Sequence, residues 1–311
     1  MALGYLDDSK LYAIASAIRA KTGDSATMSV DDMPDEIGSI STGAQVEPLS
    51  VTENGTYSAP TGYAYTPVTV NVSGGGGLTM DDVATRNFGS EINIPTASEI
   101  LAYAFYSYQA GVWTRFTVSA PNAVRVGMSA FVSCTRLAEA SLPKVSSVFS
   151  YAFYGCTNLS AVHIPLLENV GQNAFGNCSK LASLDAPALV QIAQYGFVGN
   201  SSLTNVSIPA CKSIGNSAFM GCRSLSQLSL PNVSYIGNRA FSSCFRLISL
   251  NLTGVSSVPS LGGSQAFYST PIGGYSASAG RFGSVYVPSS LYASFTAAQY
   301  WSLITSRIVS V

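Results

Sequence analysis

From residue 105 onward, apolar and polar positions recur in a fixed phase. Phe105, Phe131, Phe153, Phe175, Phe197, Phe219, Phe241 and Phe267 follow one another at intervals of 26, 22, 22, 22, 22, 22 and 26 residues. Alanine precedes each except Phe197, which follows Gly196. Three residues after Phe stand Cys134, Cys156, Cys178, Asn200, Cys222 and Cys244, and six after stand Leu137, Leu159, Leu181, Leu203, Leu225 and Leu247. Pro143, Pro165, Pro187, Pro209 and Pro231 come twelve after, with Thr253 in the last repeat; Val148, Val170, Ile192, Ile214, Ile236 and Val258 come seventeen after. A period in the twenties defines a solenoid, in which each coil buries its apolar face only against its neighbours. The alternating pieces VHIP, LDAP, VSIP and LSLP predict one short strand per coil, with side chains pointing alternately in and out. The proline removes a ladder donor and ends the strand. Stacked at about 4.8 Å, the strands form a parallel sheet of about nine members.

The rest of the chain follows from where this phase begins and fails. EINIP (91–95) opens the first coil, and the two 26-residue intervals place insertions around 106–115 and 256–265. SVYVP (284–288) reads as the last strand. SSLYASFTAAQYWSLITSRI then reads as a helical cap that sets Leu291, Phe295, Tyr300, Trp301, Leu303 and Ile304 on the open core. At the front, LYAIASAIRAKTG carries a helical stripe at Leu11, Ile14, Ala15 and Ile18, and SVDDMPDEIGSI predicts a second short helix. Residues 46–72 have strand-like ends around an Asn54-Gly55 turn, and Gly74–Gly77 reads as a flexible joint. The expected organisation is a helical module (1–42), a small β module (43–73), a Gly-rich linker (74–84), the solenoid (85–282) and a C-terminal cap (283–311).

Composition narrows the function. Apolar residues make up 47% of the 311 and charged residues 10%, against roughly 25% charged in an ordinary domain. The surface is therefore polar but nearly neutral. A net charge of −1 offers no overall basic field for nucleic acid or an anionic membrane. No apolar stretch approaches the ~18 residues of a membrane span. Asp7, Asp8, Ser9 and Lys10 interrupt the N-terminus where a secretory signal would have its apolar core, so the expected route is cytoplasmic synthesis without a signal peptide.

The phased pattern AFxxCxxLxxxxLPxxxxI, as in AFMGCRSLSQLSLPNVSYIGNRAF at 218–241, resembles the BspA-like leucine-rich repeat over roughly residues 85–282. That resemblance implies a binding or adhesion protein, in a family whose fold carries no chemistry. LYAIASAIRAKTG, MSVDDMPDEI and TENGTYSAPTGYAYTPVTVNV are similar to N-terminal segments of tail and baseplate-associated proteins of bacteriophages that infect Gram-positive bacteria. The closing VYVPSSLYASFTAAQYWSLITSRIVSV resembles the end of such proteins. These likenesses imply a place in a virion, as a tail, baseplate or fibre component. They imply partners among other virion proteins through the N-terminal module, a glycan or protein on the host surface, and, by the same analogy, a trimer. A spacer or decoration protein and a bacterial cell-surface adhesin remain as alternatives.

Three side chains invite a chemical reading: Cys156, His163 and Cys178, the histidine being the only one in the chain. The cysteines hold a repeat position shared by six coils, where a small apolar side chain packs well, and no CxxC pair is present to hold zinc. His163 lies between the inward Val162 and Ile164 and therefore points outward. Parallel side chains in a column make poor disulfides, so all six cysteines, Cys211 included, are expected to be reduced. One outward histidine leaves no nucleophile–base–orienter arrangement. Asp7-Asp8, Asp31-Asp32 and Asp81-Asp82 suit helix starts. GGGG lacks the Lys-Ser/Thr of a phosphate loop. No enzyme, metal or cofactor is expected. The candidate binding residues are the outward strand positions Ser119, Ser141, His163, Asp185, Ser207, Ser229 and Asn251, flanked by Glu139, Asn205 and Gln227. A second candidate is the aromatic insertion with Tyr106, Tyr108 and Trp113.

Overall fold

The computed structural model describes residues 68–69, 91–95, 97–105, 116–274 and 282–311. All belong to the larger of two compact units of the chain, Thr52–Thr56 with Pro60–Val311. The helical module at 1–42, the β module apart from 68–69, the linker at 74–84, and Tyr106, Tyr108 and Trp113 lie outside the described residues.

Each regular coil contributes two strands. The longer strands, including Phe116–Ser119, Leu137–Ser141, Ala161–His163, Ser183–Asp185, Asn205–Ser207, Gln227–Ser229 and Ser249–Asn251, stack in three consecutive parallel ladders of five, two and four members. Alternation sets which side chains enter the core: in Ser183–Asp185, Leu184 is buried between exposed Ser183 and Asp185. Val68–Thr69, inside the segment read as a small β module, pairs with Ile92–Asn93, so the sheet takes in a strand ahead of residue 85.

A second parallel ladder of seven two-residue strands runs from Arg125–Val126 to Ser260–Leu261. The repeat pattern carried its inward residue, the Val or Ile seventeen after Phe, but two residues are too few to show alternation. In the last coil the structure corrects that column. Leu261, not Val258, stands opposite Ile236, because the insertion precedes this strand.

Between the longer and the shorter strands the columns close into one core. The eight Phe rings stack nearly parallel, with centroids 4.7 Å apart at Phe105–Phe131 and widening to 5.7 Å at Phe241–Phe267. The six cysteines and the phased leucines are buried with them. Burying a side chain of this size is worth ~1.5–3 kcal/mol, but here most of its partners belong to neighbouring coils, which is why one coil cannot fold alone. Left-handed residues bracket the Phe turn. Tyr151 (φ 59°) and Tyr195 (φ 59°) precede it by two residues, and Gly199 (φ 73°) and Gly221 (φ 78°) follow by two. Glycine meets this requirement without a Cβ clash.

The cap departs from a continuous helix. A 3-10 turn at Ser289–Leu291 leads into one α-helix, α1 (Tyr292–Ala297), then a 3-10 segment Trp301–Arg307, and the chain closes as a strand, Ile308–Ser310, parallel to Ser284–Val287. Phe295 and Trp301 are fully buried. Trp301 continues the ring column, 5.7 Å from Phe267, and its Nε1–H donates to the Pro259 carbonyl at 2.6 Å. Leu291, Tyr300 and Ile304 are partly buried against the core, as expected. Leu303 is not, being 66% exposed, because the break at Ala298–Tyr300 turns it outward relative to a continuous helical stripe.

Candidate binding face

The longer strands carry the predicted outward residues into two rows that run along the solenoid. In the first, Ser119 stands opposite Ser141, and Ser141 opposite His163. Asp185 stands opposite Ser207, and Ser229 opposite Asn251. Glu139, Asn205 and Gln227 fall in the second row, opposite Ala161, Ser183 and Ser249. All ten are on the outer side: Ser119 and Asn251 are half-buried and the other eight exposed. The structure extends the first row at both ends, with Asn93 opposite Ser119 and Tyr286 opposite Asn251. The alternation of SVYV carries the signal for Tyr286, whose neighbours Val285 and Val287 are buried.

His163 and the cysteines are on opposite sides of the sheet. Cys156 Sγ donates to the Phe131 carbonyl at 3.0 Å, Cys178 Sγ to Phe153 at 3.1 Å and Cys244 Sγ to Phe219 at 3.1 Å. Each links one coil to the preceding one. Asn200 makes the same link through Nδ2, 3.0 Å from the Phe175 carbonyl. The thiols are free. Burial pushes those of Cys211 and Cys244 up to about 12 and raises Cys156, Cys178 and Cys222 as well. A thiol is thus kept in its neutral, donating form, the opposite of a nucleophile or metal ligand. This role was not visible in the repeat pattern, which reported only size and polarity.

The face offers hydroxyls, amides, one imidazole and a few carboxylates in rows set by the strand register. Among the described residues, no three His, Cys, Asp or Glu side chains converge as metal ligands would, and no helix is long and apolar enough to cross a membrane. Arg125, on the shorter-strand side, is paired with Glu99, which raises its pKa. Such a surface suits extended contact by hydrogen bonds, repeated at each coil.

Two sets of stacked parallel strands, longer and shorter, around a phased Phe, Leu and Cys core define a leucine-rich-repeat solenoid. The chain belongs to the BspA-type leucine-rich repeat family, whose model matches residues 87–182 and 146–272 in six copies. No curated protein matches it. Among solved structures, a leucine-rich repeat protein from Bacteroides ovatus is similar at 23% identity and a TM-score of 0.49, over 64% of this chain and 54% of that one. This chain thus spans about half of that relative. The leucine-rich repeat protein of T. pallidum is similar at 27% identity and a TM-score of 0.45, over 55% of this chain and 78% of that one. A leucine-rich cell surface protein from Faecalibacterium prausnitzii is similar at 16% identity and a TM-score of 0.34, over 79% and 90%.

Proposed function

We propose that this chain is a non-enzymatic bacteriophage virion protein, in the tail, baseplate or a fibre, whose solenoid binds the host cell surface. The observation that carries the binding reading is the register of the longer strands, which lines up Ser141 with His163, Asp185 with Ser207 and Ser229 with Asn251 on one outer face. The virion reading is supported by the likeness of residues 11–23, 28–37, 52–72 and 285–311 to segments of tail-associated proteins. Several copies on one particle turn weak contacts into avidity, because each further contact forms at high effective concentration. Intact Gram-positive cells incubated with assembled particles, or with the full chain, give the test. Binding that falls when the outer face is altered supports attachment. Binding that ignores the face supports a spacer role, and no binding by particles sinks the reading.

A further inference from the structure

The chain's net charge of −1 conceals a division. Residues 1–115 hold thirteen Asp and Glu against five Lys and Arg, whereas residues 116–311 hold three against ten. The solenoid is therefore a basic body. Over its full span, residues 85–282, eleven Lys and Arg stand against five carboxylates, and these, Glu91, Glu99, Glu139, Glu168 and Asp185, are all absent from one rim: the turn four and five residues after each Phe, which leads into the longer strand. That rim carries Arg136, Lys180, Arg223 and Arg246. Lys180 Nζ donates to Asn158 Oδ1, and Asn158 Nδ2 donates to the Thr135 carbonyl at 2.6 Å, tying three coils together. Arg223 lies over the Phe245 ring, 5.8 Å from its centroid, and Arg246 follows in the next coil. Lys180, Arg223 and Arg246 are exposed, and among the described residues no ion pair engages them. Between the cations the rim presents Thr157, Ser179, Ser201 and Ser224.

We propose that this rim binds a linear anionic glycan lying along the solenoid, with the adjoining strand face supplying hydrogen bonds to its hydroxyls. The proposal rests on the host-surface reading and names its ligand class. Arg136, Lys180 and Arg223 recur every second coil, about 10 Å apart at the spacing of stacked strands, which is about the length of an extended disaccharide. A polymer with one acidic group per disaccharide matches that spacing. Nucleic acid fits it poorly, since a strand carries a charge every ~3.4 Å and single strands are held by stacking on exposed aromatics. The rim's aromatic, Phe245, is half-buried beneath Arg223.

The test measures binding of the full chain at low and physiological salt. Its probes are hyaluronan oligosaccharides, the same oligosaccharides with their carboxyls amidated, and oligothymidylate. Two triple variants remove equal charge: Lys180→Gln/Arg223→Gln/Arg246→Gln on the rim, and Lys144→Gln/Lys212→Gln/Arg239→Gln elsewhere on the solenoid. The rim triple is expected to lose on the order of tenfold or more in hyaluronan affinity, with a shallower salt dependence, and the second triple much less. Equal losses in both, equal affinity for the amidated form, or tighter binding of oligothymidylate would each overturn the proposal. Thermal unfolding at the wild-type midpoint confirms that the variants fold. Wild type that binds cells but not hyaluronan overturns the rim assignment alone. Wild type that binds hyaluronan but no cells keeps the rim and overturns host attachment.

Discussion

Asn200 Nδ2 donates to the Phe175 carbonyl at 3.0 Å, making the coil-to-coil link that a thiol makes in the neighbouring repeats. The substitution leaves a residue behind. Asn200 Oδ1 is buried with no hydrogen-bond partner, and an unsatisfied buried acceptor costs ~1–3 kcal/mol. Asn200→Cys is expected to stabilise the solenoid by about 1 kcal/mol, because it keeps a donor and removes the orphan. Asn200→Ala loses the donor as well and leaves a void, and is expected to gain nothing. Thermal unfolding midpoints separate the two, and a lower midpoint for Asn200→Cys would count against this account of the column.

The ring column makes a further prediction about position. Phe175→Ala removes a ring packed between Phe153 and Phe197 and is expected to cost ~3–5 kcal/mol. Trp301→Phe keeps most of the packing on Phe267 but strips the Pro259 carbonyl of its donor, for a loss of ~1–2 kcal/mol. In a solenoid the terminal change should open the last coil first. Hydrogen exchange is expected to show local loss around residues 255–311 in Trp301→Phe and a loss spreading both ways from the centre in Phe175→Ala.

Burial of the thiols makes stability depend on alkaline pH. A cysteine in the unfolded chain ionises near pH ~8.5, whereas Cys211 and Cys244 ionise at about 12 in the fold, and burial raises Cys156, Cys178 and Cys222 too. The folded value is the higher one, so the contribution is fully present below pH ~8.5 and is lost as pH rises toward 12. The loss is about 1.4 kcal/mol per thiol for each pH unit in that window. Unfolding midpoints should fall steeply above pH 9, and alkylation at pH 8 should label none of the six thiols natively and all six in denaturant. Prompt native labelling would show the column to be open.

His163 is expected to matter for binding and not for folding. Its side chain is exposed on the outer row, where surface substitutions cost little stability. His163→Ala should leave the unfolding midpoint within about 0.5 kcal/mol of wild type while weakening cell attachment; a large stability loss with unchanged binding would reverse those roles.

Much of this was legible in the chain because a solenoid writes its core in phase. Phe175, Leu181 and Cys178 announced their burial by recurring, and the outward direction of His163 followed from Val162 and Ile164. What stayed hidden depends on geometry between coils. The link from Cys178 Sγ to the Phe153 carbonyl needs the turn's backbone conformation, and the shorter strands, such as Gln191–Ile192, are too brief to show a period. Leu303 faces outward, against the expectation from a continuous helical stripe, because the helix breaks after α1. The rim cations do not show in the total charge because the acidic N-terminal third cancels them.

The claim that the longer-strand face is the attachment surface is tested most directly by the full chain carrying Ser141→Ala, His163→Ala, Asp185→Ala and Ser207→Ala together. Its binding to a panel of intact Gram-positive cells is compared with wild type by sedimentation. These positions run through four consecutive coils, point outward, and touch no buried column. The account predicts an unchanged unfolding midpoint and cell binding reduced on the order of tenfold or more through loss of the row's contacts and the avidity built on them. Undiminished binding by a correctly folded variant would contradict it.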